Sequence, residues 1–136
     1  MFRFFEYIWS SPKPSVTEYE FQMRHSFDSR KKESMKLLEK YVDKVPIVFE
    51  RSDQCYLNNL AKDKMLIKKE LTVGQLILIL RTDLKLTSDQ NLYLMINNDK
   101  VPSTHQTVES VYDAHKHKDG FLYITYTSND KTQTES

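Results

Sequence analysis

The stretch Lys62–Arg81, KDKMLIKKELTVGQLILILR, decides the fold of this 136-residue chain. Its apolar run Met65–Ile67 is too short for a helix and predicts a strand. The lysines around that run favour an edge strand, because lysine at a sheet edge opposes unwanted pairing. Thr72 and Gln75 have the spacing of a capping box, in which each side chain bonds the other residue's backbone amide. We therefore predict a basic edge strand followed by a helix at Thr72–Arg81.

This helix is apolar nearly all round, and this pattern predicts burial on more than one side. Its apolar residues are Val73, Leu76, Ile77, Leu78, Ile79 and Leu80. In the preceding strand, Leu66 points away from the face that Met65 and Ile67 share, so at least one face meets solvent or a partner. An edge strand of this kind can accept an extended peptide as an additional strand. This pattern indicates a binding module rather than an enzyme.

The composition narrows the class of protein. The length predicts one domain, and a formal net charge of +1 argues against general nucleic-acid binding. Cys55 is alone, which excludes an intramolecular disulfide and favours a reducing, cytoplasmic setting. The first nine residues, MFRFFEYIW, are too few to span a bilayer and lack the cleavage site of a signal peptide.

The rest of the chain predicts three more helices and three more strands. The helices are residues 16–24 capped by Thr17, Phe27–Tyr41 capped by Asp28 or Ser29, and 107–115; the strands are Val45–Phe49, Leu92–Ile96 and Phe121–Tyr126. Pro46 lacks an amide donor, so its end of the strand is a sheet edge or a strand start. The order predicts an α+β fold: a β-grasp with a four-stranded mixed sheet and two additional N-terminal helices. We expect an aromatic extension and linker at 1–15, the domain at 16–126 and a polar tail at 127–136.

Seven motifs, in order along Tyr19–Tyr126, resemble the autophagy ubiquitin-like modifiers of the GABARAP and microtubule-associated light-chain-3 kind. They are HSFDSRKKES (25–34), EKYVDKVPIVFER (39–51), LTVGQ (71–75), INN (96–98), VPST (101–104), VYDAH (111–115) and DGFLYITY (119–126). The resemblance implies a ubiquitin-like fold and a groove for peptides of the form aromatic-x-x-aliphatic, often with acidic neighbours.

Two apolar pockets follow from this resemblance. The pocket for the aromatic anchor would be lined by Glu33, Leu37, Pro46, Val48, Lys64, Leu66 and Phe121. The pocket for the aliphatic anchor would be lined by Met65, Ile67, Leu71, Leu76 and Ile79. The strand from Lys64 to Ile67 would supply main-chain hydrogen bonds, and Lys44, Lys62 and Lys64 would attract an acidic flank. This arrangement is strand addition, with backbone pairing for affinity and pockets for sequence preference.

The chain departs from the family pattern at its end. The family is conjugated to phosphatidylethanolamine through a glycine that follows an aromatic residue, and Thr132 and Gln133 stand at those two places. No glycine follows Gly120. From the sequence we therefore expect no lipid-conjugation residue.

Further departures lie in the groove. Lys68 stands where the family usually has proline, and Asp83 stands where a basic residue is usual. Met65 and Leu76 replace larger aromatic side chains. Because methionine is flexible and fills irregular shapes, a broader or weaker peptide preference would follow.

The N-terminal extension is not part of the family pattern and leaves three interpretations. Phe5-Glu6-Tyr7-Ile8 itself has the aromatic-x-x-aliphatic form, so it could dock in this chain's groove or a neighbour's. Alternatively, the aromatics could enter a membrane interface, or the segment could be a tail or a packing element.

The basic cluster Arg30–Lys32, with Lys36 and Lys40, leaves two interpretations. Such a cluster is typical of a solvated helix face, while the resemblance also associates the N-terminal helices with tubulin and membranes.

No pattern predicts catalysis or a cofactor. His115, His117 and Cys55 lack the paired spacing of a zinc site, and no glycine-rich loop could hold a phosphate. The sequence therefore predicts a monomeric, non-enzymatic adaptor without metal or cofactor. We expect it in the cytoplasm and on autophagosomal or other intracellular membranes, with autophagy receptors and machinery as partners. The alternative is a cytoskeletal or trafficking linker that binds tubulin or receptor loops through its basic N-terminal helices.

Overall fold

The computed structural model describes residues 19–53, 55–60, 62–97 and 99–128. Within these ranges the elements are α1 Glu20–Arg24, α2 Phe27–Lys40, β1 Lys44–Arg51, β2 Lys64–Lys68, α3 Val73–Leu84, β3 Tyr93–Ile96, α4 Val108–His115 and β4 Leu122–Thr127. The sheet order is β2-β1-β4-β3. Parallel β1 and β4 lie at the centre, and both outer pairs are antiparallel. The predicted mixed sheet is confirmed, as is the edge position of β2.

Pro46 lies near the start of β1, which is an internal strand. Of the two predicted places for this proline, a strand start is therefore right and a sheet edge is wrong. The odd-numbered residues of β1 turn their backbone groups towards β2. The amide of Lys69 donates to the carbonyl of Asp43 at 3.0 Å, and the amide of Phe49 donates to Asp63 at 2.7 Å. Pro46 therefore turns its nitrogen towards β4, whose pairing with β1 begins only at Ile47. No ladder bond is lost there.

The sheet separates two apolar clusters. The larger contains buried side chains of all four strands with those of α3 and α4, among them Ile47, Ile67, Leu76 and Leu122. The smaller lies under the N-terminal helices and consists of Tyr19, Phe21, Val48, Phe121 and Tyr123, with Leu37 packed against it. Alternation along β1 explains this division, because Ile47 and Val48 point to opposite faces.

The predicted capping box at the start of α3 is confirmed. The Thr72 hydroxyl accepts from the Gln75 amide at 3.2 Å, and the Gln75 side chain accepts from the Thr72 amide at 2.9 Å. The predicted burial on more than one side is wrong: Leu78 is 62% exposed. Within the described residues, α3 buries a single stripe made by Val73, Leu76, Leu80 and Leu84.

The N-terminal helices are shorter than predicted. Tyr19 is extended and is the N-cap of α1, so the helix begins at Glu20 rather than at residue 16. The proposed cap Thr17 lies outside the described residues. The N-cap of α2 is Ser26, whose hydroxyl accepts from the Ser29 amide at 3.1 Å, rather than Asp28 or Ser29. At the other end of the domain, β4 runs through Thr127, one residue into the segment predicted as tail.

A buried polar cluster attaches α2 to the sheet. The carboxylate of Asp119, which is fully buried, accepts from Arg30 at 2.5 Å, from the Tyr123 hydroxyl at 2.6 Å and from the Phe121 amide at 2.9 Å. Burial, together with the bond to Asp119, raises the pKa of Tyr123, so its hydroxyl stays protonated and donates. Arg30 therefore does not belong to a solvated basic face, and that part of the sequence interpretation is wrong.

Gly120 completes the attachment of α2. Its φ of +93° is unfavourable for any residue with a side chain. A Cβ built on Gly120 would also lie 2.8 Å from the Cβ of Ser34, and the hydroxyl of Ser34 donates to the Asp119 carbonyl at 2.5 Å. Glycine therefore lets α2 approach the loop before β4.

Candidate peptide-binding edge

The outer edge of β2 has the polarity needed to accept another strand. Because the odd-numbered residues of β1 and β2 bond one another, Lys64, Leu66 and Lys68 turn their amides and carbonyls outward. The carbonyl of Lys68 accepts from the Leu71 amide at 3.3 Å. Among the described residues, no strand pairs with β2 on this side.

The seven residues assigned to the aromatic pocket come together on the α2 side of β2. Pro46 is opposite Leu66 and Val48 is opposite Lys64 in the β1–β2 register. Leu37 packs against the cluster that holds Val48 and Phe121. The Lys64 ammonium lies 2.7 Å from the Glu33 carboxylate, which joins β2 to α2.

The floor of this pocket is buried. Val48 and Phe121 are fully buried, at 0% and 1% exposure, and Phe21 of α1 packs with its ring centroid 5.2 Å from that of Phe121. Leu37 and Leu66 are half-buried and form the accessible rim.

The residues assigned to the aliphatic pocket lie on the α3 side of β2. Ile67 and Leu76 are buried and form a floor, while Met65 and Leu71 are partly buried and pack against the same cluster. Ile79, one helical turn beyond Leu76, is 36% exposed. The two sets of assigned residues therefore lie on opposite faces of one edge strand.

The three lysines expected to attract an acidic flank differ in their surroundings. Lys64 is paired with Glu33, and its ammonium also lies 5.3 Å from the centroid of the Phe21 ring. Lys44, at the opposite end of the strand pair, lies 3.6 Å from the carboxylate of Asp43. Lys62 is exposed immediately before β2.

A depression of about 360 Å³, which no sequence pattern predicts, lies near the start of β2. We call it the acidic basin: it is lined by Glu20, Arg24, Phe49, Glu50, Arg51, Asp53, Asn59, Leu60, Asp63 and Tyr126. Burial raises the pKa of the Glu50 carboxyl to about 7, although the amides of Phe21 and Glu20 that donate to it favour the ionised form. Carboxylates outnumber guanidinium groups in the lining.

The sequence could not have revealed the basin, because its lining comes from α1, β1, β4 and the irregular connection between β1 and β2. Likewise, Tyr19 and Phe21 do not recur at helical spacing, and their burial against Tyr123 and Phe121 depends on where α1 docks. No periodic signal would have identified them as the cover of the aromatic pocket.

Across the described parts of the chain, no three His, Cys, Asp or Glu side chains come close enough to hold a metal ion. In the same parts, no helix has the length and apolar character required to cross a bilayer.

Comparison with known proteins gives a consistent result. Residues 29–132 match the family model "Autophagy protein Atg8 ubiquitin like". Autophagy-related protein 8e of Arabidopsis thaliana is 37% identical over 106 residues, which cover 78% of this chain and 86% of that protein. Autophagy-related protein 8 of Schizosaccharomyces pombe is 36% identical over 107 residues, covering 79% of this chain and 88% of that protein.

A solved structure agrees in fold as well as sequence. The crystal structure of Trypanosoma brucei ATG8 has a TM-score of 0.78 and 30% identity, and the match covers 83% of this chain and 97% of that one. The predicted ubiquitin-like fold is thereby confirmed.

Proposed function

Because the chain belongs to the Atg8 family of ubiquitin-like autophagy proteins, we propose that it is a non-enzymatic adaptor that binds short aromatic-x-x-aliphatic peptides by adding them to β2. The partners would be autophagy receptors and machinery that carry such segments. The protein would act in the cytoplasm and on autophagosomal membranes.

The observation that carries this proposal is the placement of the two candidate pockets on opposite faces of β2. Successive side chains of an extended peptide point to alternate faces, so two anchors three residues apart point to opposite faces. Lys64 and Leu66 lie on the α2 face, whereas Met65 and Ile67 lie on the α3 face. A peptide paired with the outward amides of β2 would therefore reach both pockets with the spacing of the motif.

Charges would adjust the affinity rather than create it. Lys62 and Lys44 stand near opposite ends of the edge and would favour acidic residues in the peptide. Lys64 already has Glu33 as a partner, so an incoming carboxylate would exchange one ion pair for another. We expect a modest salt dependence, since exposed ion pairs contribute about 0–1 kcal/mol.

Calorimetric titration with an acidic-flanked Trp-x-x-Leu peptide tests the proposal. We expect binding by the full chain, and at least a tenfold loss for Leu66→Ala, because truncating a buried anchor contact costs more than about 1.4 kcal/mol. Lys64→Glu should also weaken binding. Val101→Ala is the matched control, since Val101 is an exposed apolar residue in the loop before α4. Equal affinities for Leu66→Ala and Val101→Ala would contradict binding at β2.

The alternative function, a linker to tubulin or receptor loops, is supported by the outer surface of α2. Lys31, Lys32, Lys36 and Lys40 are exposed, together with Met35. Binding of an acidic tubulin-tail peptide to this surface would fall steeply with salt. Lys32→Glu with Lys36→Glu would abolish such binding and leave the Trp-x-x-Leu affinity unchanged.

A further inference from the structure

We propose that the N-terminal segment Phe5-Glu6-Tyr7-Ile8 of this chain occupies the outer edge of β2 and competes there with incoming peptides. The segment lies outside the described residues. This inference rests on the proposed function, because it assigns an occupant to the same edge. It is carried by three features: the spacing of the anchors, the position of α1 and the charges at the two ends of β2.

The spacing of Phe5 and Ile8 matches the edge. They are three positions apart, so in an extended segment their side chains point to opposite faces. Phe5 would lie on the α2 side with Leu37 and Leu66, and Ile8 would lie on the α3 side with Met65 and Leu71. The backbone between them would meet the outward amides and carbonyls of Lys64 and Leu66.

The position of α1 makes the contact possible within one chain. Tyr19, the first described residue, packs with its ring centroid 4.9 Å from that of Tyr123. The ring of Phe21, two residues later, lies 5.3 Å from the ammonium of Lys64, at the first residue of β2. The ten residue steps from Trp9 to Tyr19 can span about 33 Å. The five residues of β2 extend over only about 13 Å, so the linker can return from the far end of the strand to α1.

The charges select the direction of the segment. The acidic basin lies at the Lys64 end of β2, since Asp63 directly precedes Lys64 and belongs to its lining. Lys44, Lys68 and Lys69 lie at the other end. Arg3, two residues before Phe5, would point towards the basin if the segment ran parallel to β2, and towards the lysines if it ran antiparallel. The parallel direction is therefore favoured.

The consequence is a groove with a built-in competitor. A short linker gives an effective concentration on the order of 1 mM. If the isolated segment bound with a dissociation constant on the order of 0.1 mM, it would weaken the binding of other peptides about tenfold. A partner peptide would have to displace the segment.

The test compares three full-length proteins by titration with the same acidic-flanked Trp-x-x-Leu peptide. The first is the unaltered chain, the second carries Phe5→Ala and Ile8→Ala, and the third carries Phe2→Ala and Phe4→Ala as a matched loss of apolar residues. We expect about tenfold tighter binding for the second and no change for the third. Arg3→Glu should tighten binding by a smaller factor, because it removes the attraction to the basin.

The outcomes separate this inference from the proposed function. Equal binding by all three proteins would overturn self-docking and leave the adaptor function intact. No binding by any of them would overturn both. Amide NMR signals of Leu66 and Lys68 should shift between the unaltered chain and the Phe5→Ala, Ile8→Ala protein, by an amount independent of concentration. A shift that grows with concentration would mean that the segment docks on a second copy, contrary to the intrachain proposal.

Discussion

Arg30 and Asp119 form a buried ion pair of 2.5 Å between α2 and the loop that precedes β4. The carboxylate is fully buried and has the Tyr123 hydroxyl and the Phe121 amide as additional donors. A buried pair of this kind is weak evidence of net stabilisation, but removal of one partner leaves the other charge without compensation. The pair therefore makes the docking of α2 sensitive to single substitutions.

Arg30→Met should lower the free energy of unfolding by about 3–5 kcal/mol, because Asp119 would remain buried without its cation. The measurement is urea denaturation at pH 7. Lys100→Met is the control: its ion pair with Asp99 is long, at 3.8 Å, and exposed, so a change below about 1 kcal/mol is expected. Similar losses for both variants would show that burial does not govern the effect.

Gly120→Ala should destabilise the fold by about 2–4 kcal/mol, since a positive φ is unfavourable and the new methyl group would overlap Ser34. Adding Ser34→Gly removes the overlap but leaves the strained φ, so the double variant separates the two causes. Denaturation midpoints of the double and the two single variants provide the comparison. If Gly120→Ala were neutral, the close approach of α2 to this loop would be wrong.

Glu50 should make stability depend on pH. Its pKa is raised by burial to about 7 in the folded protein, above the unfolded value, so folding favours the protonated carboxyl. Its contribution is fully present below about pH 4.5 and is lost as the pH rises through about 7. The full loss is about 3–4 kcal/mol, at about 1.4 kcal/mol for each pKa unit between the unfolded value of 4.5 and the folded value of about 7.

Denaturation at pH 5 and pH 8 measures this effect, and Glu50→Gln is the appropriate variant because its amide oxygen can still accept from Phe21. The decrease in stability from pH 5 to pH 8 should be smaller in Glu50→Gln than in the unaltered chain. An identical decrease in both proteins would assign the pH dependence to other groups.

Leu78 and Leu80 test how α3 is buried. Leu80→Ala should cost about 2–5 kcal/mol, because Leu80 is fully buried. Leu78→Ala should change stability by less than about 0.5 kcal/mol, as expected for an exposed position. Thermal denaturation of the two variants gives the comparison, and a large loss for Leu78→Ala would restore the prediction of a helix buried on more than one side.

Much of the fold could be predicted because local signals agree with the tertiary structure. Three local signals each determine an element without reference to the rest of the molecule. They are the short apolar run Met65–Ile67 between lysines, the capping box at Thr72 and Gln75, and the apolar strand near the chain end. The residues assigned to the two candidate pockets came from the family resemblance; the structure groups them on the two faces of β2, and their role in binding stays a prediction. The exposure of Leu78 and Ile79 on the outward face of α3 could not be predicted. Both side chains are apolar, and the sequence does not tell whether another element covers that face.

The buried anchor of α2 could not be predicted either. Arg30 is followed by two lysines in the sequence, and local charge alone makes it a member of a solvated cluster. Its partner Asp119 lies 89 residues later in the chain, in the loop before β4, and only the docking of α2 brings them together. The acidic basin has the same origin in tertiary structure.

The parallel pairing of β1 with β4 has a consequence for how the protein is made. Pairing between distant parts of a chain carries the entropy cost of closing a long loop, which slows folding. On the ribosome, β1 and β2 can form their hairpin early, but the inner edge of β1 and the apolar stripe of α3 must wait until β4 has emerged. A nascent chain stopped at Gly120 would thus display an unpaired strand edge and an uncovered apolar surface, the features that chaperones and proteases recognise.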